Sequence, residues 1–388
     1  MIYILCFVFS ALFIWIGTKK CTVMCMNTDE WKYIRLKKFP VSIGILILAI
    51  LAALRDTSIG SDVEYYVVPY FKQAVNSSEF FRYMADIGGN KTDIGYNLLN
   101  FIISRFTDNI GWLFFFVELI ILCFVFAGCW QFRFMAAPWL SMLCYYLVFY
   151  NMTLSTLRQC CACAISFYAI AYAIRYNFQK DAVVRAGIYI VLAMTFHKTA
   201  LFSAVIFVIF GLIHMDKINP VSFGMLVVLC CAAFRIFSNQ FIFIITRIAR
   251  LISTKYTIGF LSDSGGASGY TSIIMVSAFT LVIQCLLLRG NRKGCWKNIS
   301  KALLTINIIY ISGMLFLAAF SFVPRMLYYV QMFWNISLAQ CTKVVKNSLK
   351  NKALIIFFVL LFLTAYWIFF YAYGRVHGTY PYVLRLGN

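Results

Sequence analysis

The sequence predicts an all-α, polytopic integral membrane protein that forms one membrane domain over residues 1–388. Hydrophobic residues make up 63% of the chain, charged residues only 12%, and the mean hydropathy is +0.84. This leaves too little polar surface to cover a soluble domain of that length. The hydrophobic residues are also grouped in stretches long enough for helices to enter a bilayer.

These apolar stretches predict about twelve transmembrane helices. They are residues 2–17, 40–54, 111–128, 135–150, 157–175, 184–196, 199–213, 220–236, 270–288, 302–320, 325–342 and 353–373. Several, such as 40–54 and 184–196, are shorter than the roughly 20 residues that cross the hydrocarbon core, so their ends are expected inside protein. The first stretch has no basic residue before it and no small-residue cleavage site after it, which favours a retained span over a signal peptide.

The positive charges lie mainly in alternate loops. The basic loops are 18–39, 289–301 and 343–352, together with the shorter turns at Arg133, Arg175–Arg185 and Lys217. This side carries 20 of the 34 Lys and Arg residues and four acidic residues, a charge of +16, whereas the other side carries +5. The positive-inside rule makes the basic side cytoplasmic and places both termini outside. The total of +21 therefore reflects topology and anionic lipid headgroups, and nucleic acid is not an expected partner.

Two long segments are expected on the outer face, residues 55–110 and 237–270. In the first, Ile94, Leu98, Ile102 and Phe106 recur at helical spacing after a possible N-cap at Thr92-Asp93, which predicts an amphipathic helix over 93–106 at the outer leaflet. The second contains a Gly- and Ser-rich run at 262–269, which fits a mobile lid and an idle linker equally well.

No metal or cofactor site is expected from the cysteines or the acidic residues. Many of the 14 cysteines fall in apolar runs, where they act as small packing residues. The pair Asp62 and Glu64 resembles a divalent-metal motif, but no third ligand is evident nearby.

Polar residues at the outer ends of the predicted spans are the candidate functional groups. They are Arg55, Asp56, Asp62 and Glu64 after the second span, Asn151, Thr153, Arg158 and Gln159 before the fifth, His197 and Lys198 after the sixth, and Arg325 at the eleventh. Residues so far apart in sequence, yet level in depth, are what a cavity open to one leaflet requires. Taken singly, each residue also fits the role of an interfacial anchor or a helix cap. For Lys198 and Asp56 this structural interpretation is favoured over a functional one.

The order of these residues resembles the EpsG/Wzy-like family of polysaccharide polymerases over nearly the whole chain. The resemblance lies in five segments: Ala52-Ala53-Leu54-Arg55-Asp56 with Ile59-Gly60 and Asp62; Asp93-Ile94-Gly95-Tyr96-Asn97; Asn151 with Arg158-Gln159; Phe196-His197-Lys198-Thr199-Ala200; and Arg325 with Tyr329. Pro381-Tyr382 also resembles the family's usual ending. Two departures are Asp93, where family members often have Glu, and the residues that follow His197.

The resemblance implies a multi-pass enzyme of the bacterial cytoplasmic (inner) membrane that joins repeat units of an exopolysaccharide, capsule or O-antigen at the outer face. It would transfer the growing glycan from undecaprenyl pyrophosphate to a hydroxyl of an incoming lipid-linked unit. The implied partners are the undecaprenyl-pyrophosphate-linked oligosaccharide, membrane lipid and a co-polymerase that regulates chain length. No sugar nucleotide and no cofactor are needed.

The residue types suit this chemistry. Arginine stays charged and its fork of donors matches phosphate oxygens, so Arg55, Arg158 and Arg325 are candidate pyrophosphate ligands. Gln159 and Asp93 are further candidates for binding the pyrophosphate or the sugar. Asp62 and His197 are the two candidate bases for the acceptor hydroxyl. Asp62 is favoured because carboxylates suit glycosyl transfer, whereas His197 fits equally well as an imidazolium that binds phosphate. Tyr66, Tyr96 and Tyr329 are candidates for stacking on sugars, although interfacial aromatics are common in membrane proteins.

Three other classes of protein fit less well. A flippase for the same lipid-linked substrate should carry charges near the bilayer midplane, and Glu118 is the only clear charge within a span. A polyprenyl-phosphate-sugar-dependent glycosyltransferase would share Asp62 and the fold but add a single sugar. An O-acyltransferase could use His197, but the outer arginines would then have no role.

Overall fold

The computed structural model describes residues 1–18, 36–87, 93–237, 270–289, 295–317, 322–344 and 349–385. Within these ranges the chain is helical and no strand is present; one isolated β-bridge joins Arg55 and Leu384. The all-α prediction is confirmed for this part of the chain.

The helices follow the predicted apolar stretches closely in the first half of the chain. They are α1 Ile2–Thr18, α2 Lys38–Ala53, α3 Val68–Asn76, α4 Phe80–Asp86, α5 Ile94–Ser104, α6 Ile110–Gln131, α7 Pro138–Tyr145, α8 Leu157–Arg175 and α9 Lys180–Phe196. A π-helical turn, Val63–Val67, precedes α3, and another, Tyr146–Tyr150, continues α7. Arg158 is the second residue of α8 and His197 directly follows α9, so the two candidates lie at the same end of this antiparallel helix pair.

The second half of the described chain contains both long and interrupted helices. They are α10 Leu201–His214, α11 Pro220–Ile236, α12 Tyr270–Arg289, α13 Cys295–Leu317, α14 Phe322–Gln331, α15 Trp334–Ala339 and α16 Leu349–Trp367. The stretch 325–342, predicted as one span, is interrupted between α14 and α15, where Met332 and Phe333 form a turn. A π-helical turn, Ile368–Tyr373, lengthens α16.

Within the part of the chain that the structure describes, four helical segments are long and apolar enough to cross a membrane. They are Ile110–Gln131, Leu157–Arg175, Lys297–Leu317 and Leu349–Tyr373. Further apolar helices of 10–17 residues accompany them, including α1, α2 and α11. The described residues therefore form a multi-pass membrane protein, and the total of twelve spans stays a prediction.

Helix packing places α8 at the centre of the first half. Helix α8 packs between α6 and α9, α6 packs on α2, and α1 packs on both α2 and α7. In the second half α13 is central and contacts α10, α11 and α12. The short helix α15 packs on α7 and joins the two groups.

Helix α5 confirms the predicted amphipathic helix, with ends two residues or fewer from the predicted 93–106. Its buried face carries Tyr96, Asn97, Asn100 and Ile103, whereas Ile94, Leu98 and Ile102 are exposed. The helix packs against α3 and α9. The polar face is therefore turned to protein, and the apolar stripe is left for the leaflet to cover.

Several predictions lie outside the described residues. The run 262–269 and most of the predicted loop 237–270 belong to this group, as do parts of the basic loops 18–39, 289–301 and 343–352. The packing role of cysteine is confirmed for six described residues, since Cys129, Cys144, Cys160, Cys161, Cys163 and Cys341 are buried free thiols. It is not confirmed for Cys123, Cys230 and Cys285, which are exposed.

Candidate functional site

Six of the sequence-predicted site residues line one recess at the end of the helix bundle. The recess has a cavity volume of about 50 Å³. Its lining consists of Asp62, Tyr66, Val67, Ser155, Thr156, Leu157, Arg158, Gln159, His197 and Arg325. The side chains come from the first long loop, the start of α8, the end of α9 and α14. The predicted convergence of these distant segments is thus present.

Arg158 is held in place by Asp93. The Nη1 atom of Arg158 lies 2.7 Å from Oδ2 of Asp93, and the two side chains are 20% and 6% exposed. Asp93 occupies the N-cap position of α5, as the sequence predicts, but its side chain makes no capping hydrogen bond. Its carboxylate instead binds one part of the guanidinium and leaves other N–H groups of Arg158 free to face the recess.

The loop that carries Asp62 is fixed by a close backbone approach. Gly60 has φ +105°, and a Cβ atom there would collide with the carbonyl oxygen of Leu154. The next residue, Ser61, shares a hydrogen bond of 3.0 Å between its hydroxyl and that of Ser155. Glycine at position 60 therefore lets the loop lie against the turn before α8, which brings Asp62 to the recess.

A C-terminal strap, residues 376–385, pairs with the same loop. The backbone N–H groups of Gly60 and Ser61 donate to the carbonyl oxygens of Gly378 and His377 at 3.0 and 2.9 Å. Further along, Asp56 N donates to Val383 O at 2.9 Å. The ending that resembled the family at Pro381-Tyr382 is therefore part of the scaffold of Asp62.

Arg325 reaches the recess from α14 through an anchor on α8. The side-chain amide of Gln159 donates to the backbone carbonyl of Arg325 at 2.5 Å. Gln159 is buried and the Arg325 side chain is exposed. Gln159, predicted as a substrate ligand, thus also positions a neighbouring cation.

His197 belongs to a hydrogen-bonded chain that leads away from the recess. Its Nδ1 atom lies 2.6 Å from the hydroxyl of Thr199 and accepts the backbone N–H of Thr199 at 3.3 Å. The Thr199 hydroxyl in turn lies 3.1 Å from the hydroxyl of Tyr329. Tyr329 is buried. The imidazole is therefore fixed through one nitrogen, while the residue lines the recess.

Burial and charge shift the pKa values of the recess residues. Burial raises the pKa of Asp62, and the nearby Arg325 and Arg158 oppose that rise. Burial likewise raises the pKa of Asp93 against the opposing effect of Arg158. Burial lowers the pKa of His197 to about 4, and Arg158, Arg325 and Lys198 lower it further. The histidine is therefore neutral at pH 7, whereas Asp62 is a stronger base than an exposed aspartate.

The predicted tyrosines differ in what they can contact. The rings of Tyr66 and Tyr96 both have centroids 6.0 Å from Cζ of Arg158. Tyr66 is 46% exposed and lines the recess, whereas Tyr96 and Tyr329 are buried. Only Tyr66 of the three thus presents surface on which a sugar ring could stack.

Arg55 is placed away from the recess. Its side chain is 1% exposed, its Nη1 donates to the carbonyl oxygen of Leu154 at 2.6 Å, and its guanidinium lies 4.1 Å from the ring centroid of Phe114. Asp56 accepts hydrogen bonds from the Ser58 backbone and hydroxyl, the capping role favoured by its sequence. Glu64 is exposed and does not line the recess.

The sequence did not single out Ser155, Thr156 or Thr199 as site residues. All three are hydroxyl residues in turns between apolar helices, a local signal that is too common to identify a site. The sequence did not predict the strap either, because residues 56–61 and the strap are more than 300 positions apart in the chain.

The comparisons with known proteins give one family match. A model of the EpsG family matches residues 38–384, nearly the whole chain and all of the recess. No curated protein and no solved structure matches the chain.

Proposed function

The chain belongs to the EpsG family, and on that premise we propose that it is a polysaccharide polymerase of the bacterial cytoplasmic membrane. It transfers a growing glycan from undecaprenyl pyrophosphate to a hydroxyl of an incoming lipid-linked repeat unit, in exopolysaccharide, capsule or O-antigen synthesis. The recess faces the exterior, where the flipped units are presented.

The observation that carries this proposal is the meeting of one carboxylate with two arginines in a single recess. Asp62, Arg158 and Arg325 come from three separate segments, and both arginines act electrostatically on Asp62. A base for a hydroxyl and cations for a pyrophosphate are the two needs of the transfer.

In the proposed reaction the acceptor hydroxyl attacks the anomeric carbon of the donor. A new C–O bond forms, the bond from that carbon to the pyrophosphate oxygen breaks, and the hydroxyl proton passes to Asp62. The pyrophosphate keeps the bonding electron pair, and Arg158 and Arg325 stabilise its added negative charge. No redox partner is required.

The surroundings of the recess suit a lipid-linked substrate. Helix α5 holds Arg158 through Asp93 and exposes Ile94, Leu98 and Ile102 on its other face. A polyprenyl chain in the leaflet would lie along this stripe while its pyrophosphate reaches the arginines.

The experiment is complementation in the host after deletion of the gene. We expect wild type to restore long polymer, and Arg158→Ala at equal membrane level to leave single lipid-linked units at the outer face. The matched control is Arg82→Ala, since Arg82 is an exposed arginine of α4, within the predicted outer segment 55–110, and does not line the recess.

Two other outcomes would overturn the proposal. Units that accumulate on the cytoplasmic side would indicate a flippase. Units that lack one sugar would indicate a polyprenyl-phosphate-dependent glycosyltransferase, which adds a single residue.

A further inference from the structure

The hydrogen bonds around His197 determine which of its nitrogens carries the proton. The backbone N–H of Thr199 points to Nδ1 at 3.3 Å, and an amide N–H can only donate. Nδ1 must therefore hold its lone pair. A neutral imidazole has one N–H, so in this arrangement the proton is on Nε2.

The rest of the chain of hydroxyl groups is consistent with this tautomer. Because Nδ1 is an acceptor, the Thr199 hydroxyl, at 2.6 Å, donates its single O–H to it. The Thr199 oxygen therefore accepts from the Tyr329 hydroxyl, which lies at 3.1 Å. Each hydroxyl thus donates once towards His197.

The charges around His197 oppose a second proton on the ring. Arg158 and Arg325 line the same recess, and Lys198 is adjacent in sequence. Together with burial they keep the pKa of His197 near 4. An uncharged ring with Nε2–H can donate a hydrogen bond but has no basic nitrogen left to accept the hydroxyl proton.

We infer that His197 acts as a neutral Nε2–H donor to a phosphoryl oxygen of the substrate, that Thr199 is the positioning residue for this tautomer, and that Asp62 is the base. This inference rests on the proposed function and names the roles of its groups. It chooses between the two candidate bases, which the sequence left open.

Replacement of His197 by glutamine tests whether the histidine acts as a hydrogen-bond donor or as a base. The amide NH₂ of glutamine can donate from near the position of Nε2, but it cannot take up a proton. In an elongation assay with lipid-linked repeat units, we expect His197→Gln to be roughly 10-fold faster than His197→Ala, as for one hydrogen bond to a charged group. Equal rates for the two variants would overturn the inference.

Thr199 is tested with a variant that removes only its hydroxyl. Thr199→Val keeps the β-branched shape and the backbone N–H, so we expect kcat to fall about 10-fold with little change in KM. Thr199→Ser restores the hydroxyl and should restore most of the rate. A loss in both variants, or in neither, would contradict the positioning role.

The tautomer can be measured without any activity. The chain contains three histidines, so ¹⁵N-histidine labelling gives few signals, and His197→Gln identifies those of His197. At pH 7 we expect an unprotonated Nδ1 and a protonated Nε2, with more of the other tautomer in Thr199→Val. The reverse tautomer, or a charged ring, would overturn the inference.

This measurement also distinguishes a failure of the proposed function from a failure of the roles assigned to His197, Thr199 and Asp62. If the wild-type protein makes no polymer, the proposed function fails, but the nitrogen signals still report the hydrogen bonding of His197. If polymer is made and the tautomer is reversed, the function stands and the assigned roles are wrong.

Discussion

Single residues of the same type have different roles in this protein, as Arg55 and Arg158 illustrate. Both are predicted pyrophosphate ligands, because arginine matches phosphate oxygens and both residues lie at the outer ends of predicted spans. The structure places Arg158 at the recess beside Asp93, whereas Arg55 is enclosed by Leu154 and Phe114. Sequence patterns report the depth of a residue along the bilayer normal but not its neighbours. The different neighbours of Arg55 and Arg158 are what give the two arginines different roles.

Arg55 is therefore expected to stabilise the fold. Replacement by alanine removes a fully buried side chain with its hydrogen bond to Leu154 O, so we expect a loss of about 2–5 kcal/mol in the free energy of unfolding. Thermal unfolding in detergent measures this loss. The protein that remains folded should elongate glycans at a near-normal rate. Unchanged thermal stability with lost activity would return Arg55 to the substrate-binding residues.

Asp93 is expected to act through Arg158. Asp93→Asn removes the charge that holds the guanidinium, and we expect the elongation rate to fall about 10-fold, because misplaced catalytic groups lose much of their effect. Asp93→Glu keeps a carboxylate and should recover much of the rate. The decisive comparison is the double variant: Asp93→Asn should add little to Arg158→Ala. Full additivity of the two losses would show that Asp93 works independently.

The raised pKa of Asp62 predicts how activity depends on pH. A base works only when it is deprotonated, so activity is present above the pKa of Asp62 and is lost as the pH falls through it. Because burial raises that pKa, the acidic limb of kcat/KM should lie above the value of about 4 for an exposed aspartate. The limb should persist in His197→Gln. A limb that disappears in His197→Gln would assign the titration to the histidine.

At the scale of helices and loops, the local sequence predicted most of what the structure contains. Apolar stretches and their spacing identified α1, α6, α8 and the amphipathic α5. The turn between α14 and α15 was missed, since Met332 and Phe333 are themselves apolar and give no break in the hydropathy. The strap was missed for a different reason: its pairing with residues 56–61 is made by backbone hydrogen bonds, which leave no pattern in the side chains.

The strap is expected to be required for activity. A chain ending at Arg375 lacks the carbonyl oxygens that accept from Gly60 and Ser61, so the Asp62 loop loses two of its anchors. We expect elongation to fall by roughly 10- to 100-fold while the protein still inserts in the membrane. The matched control is a chain ending at Arg385, which keeps these bonds. Equal activity of the two truncations would show that the loop is positioned without the strap.

At the scale of the whole molecule, one network ties the beginning, middle and end of the chain together. The Tyr3 hydroxyl donates to the Thr379 carbonyl at 2.7 Å, and the Asn151 amide donates to the Thr379 hydroxyl at 3.0 Å. Trp367 donates to Asn151 at 2.7 Å. Composition alone predicted a membrane protein, but such contacts between distant segments depend on how the helices pack, which hydropathy does not encode.

This network has a consequence for topology. The strap pairs with the loop that leads to Asp62, so the C-terminal end lies on the same membrane face as the recess. The charge distribution of the loops predicts that this face is the exterior. A reporter at the C-terminal end therefore reports the orientation of the recess.

We expect alkaline phosphatase fused after Asn388 to be active and green fluorescent protein at the same position to be dark. Fusions after Lys350, in the first turn of α16 and at its opposite end, should give the reverse pattern, because α16 with its π-helical turn is long enough to cross the membrane. If the C-terminal fusions instead report the cytoplasm, the recess faces inward and cannot meet units that have been flipped outward. The proposed polymerase reaction at the outer face would then be untenable, although the arrangement of Asp62, Arg158 and His197 would be unchanged.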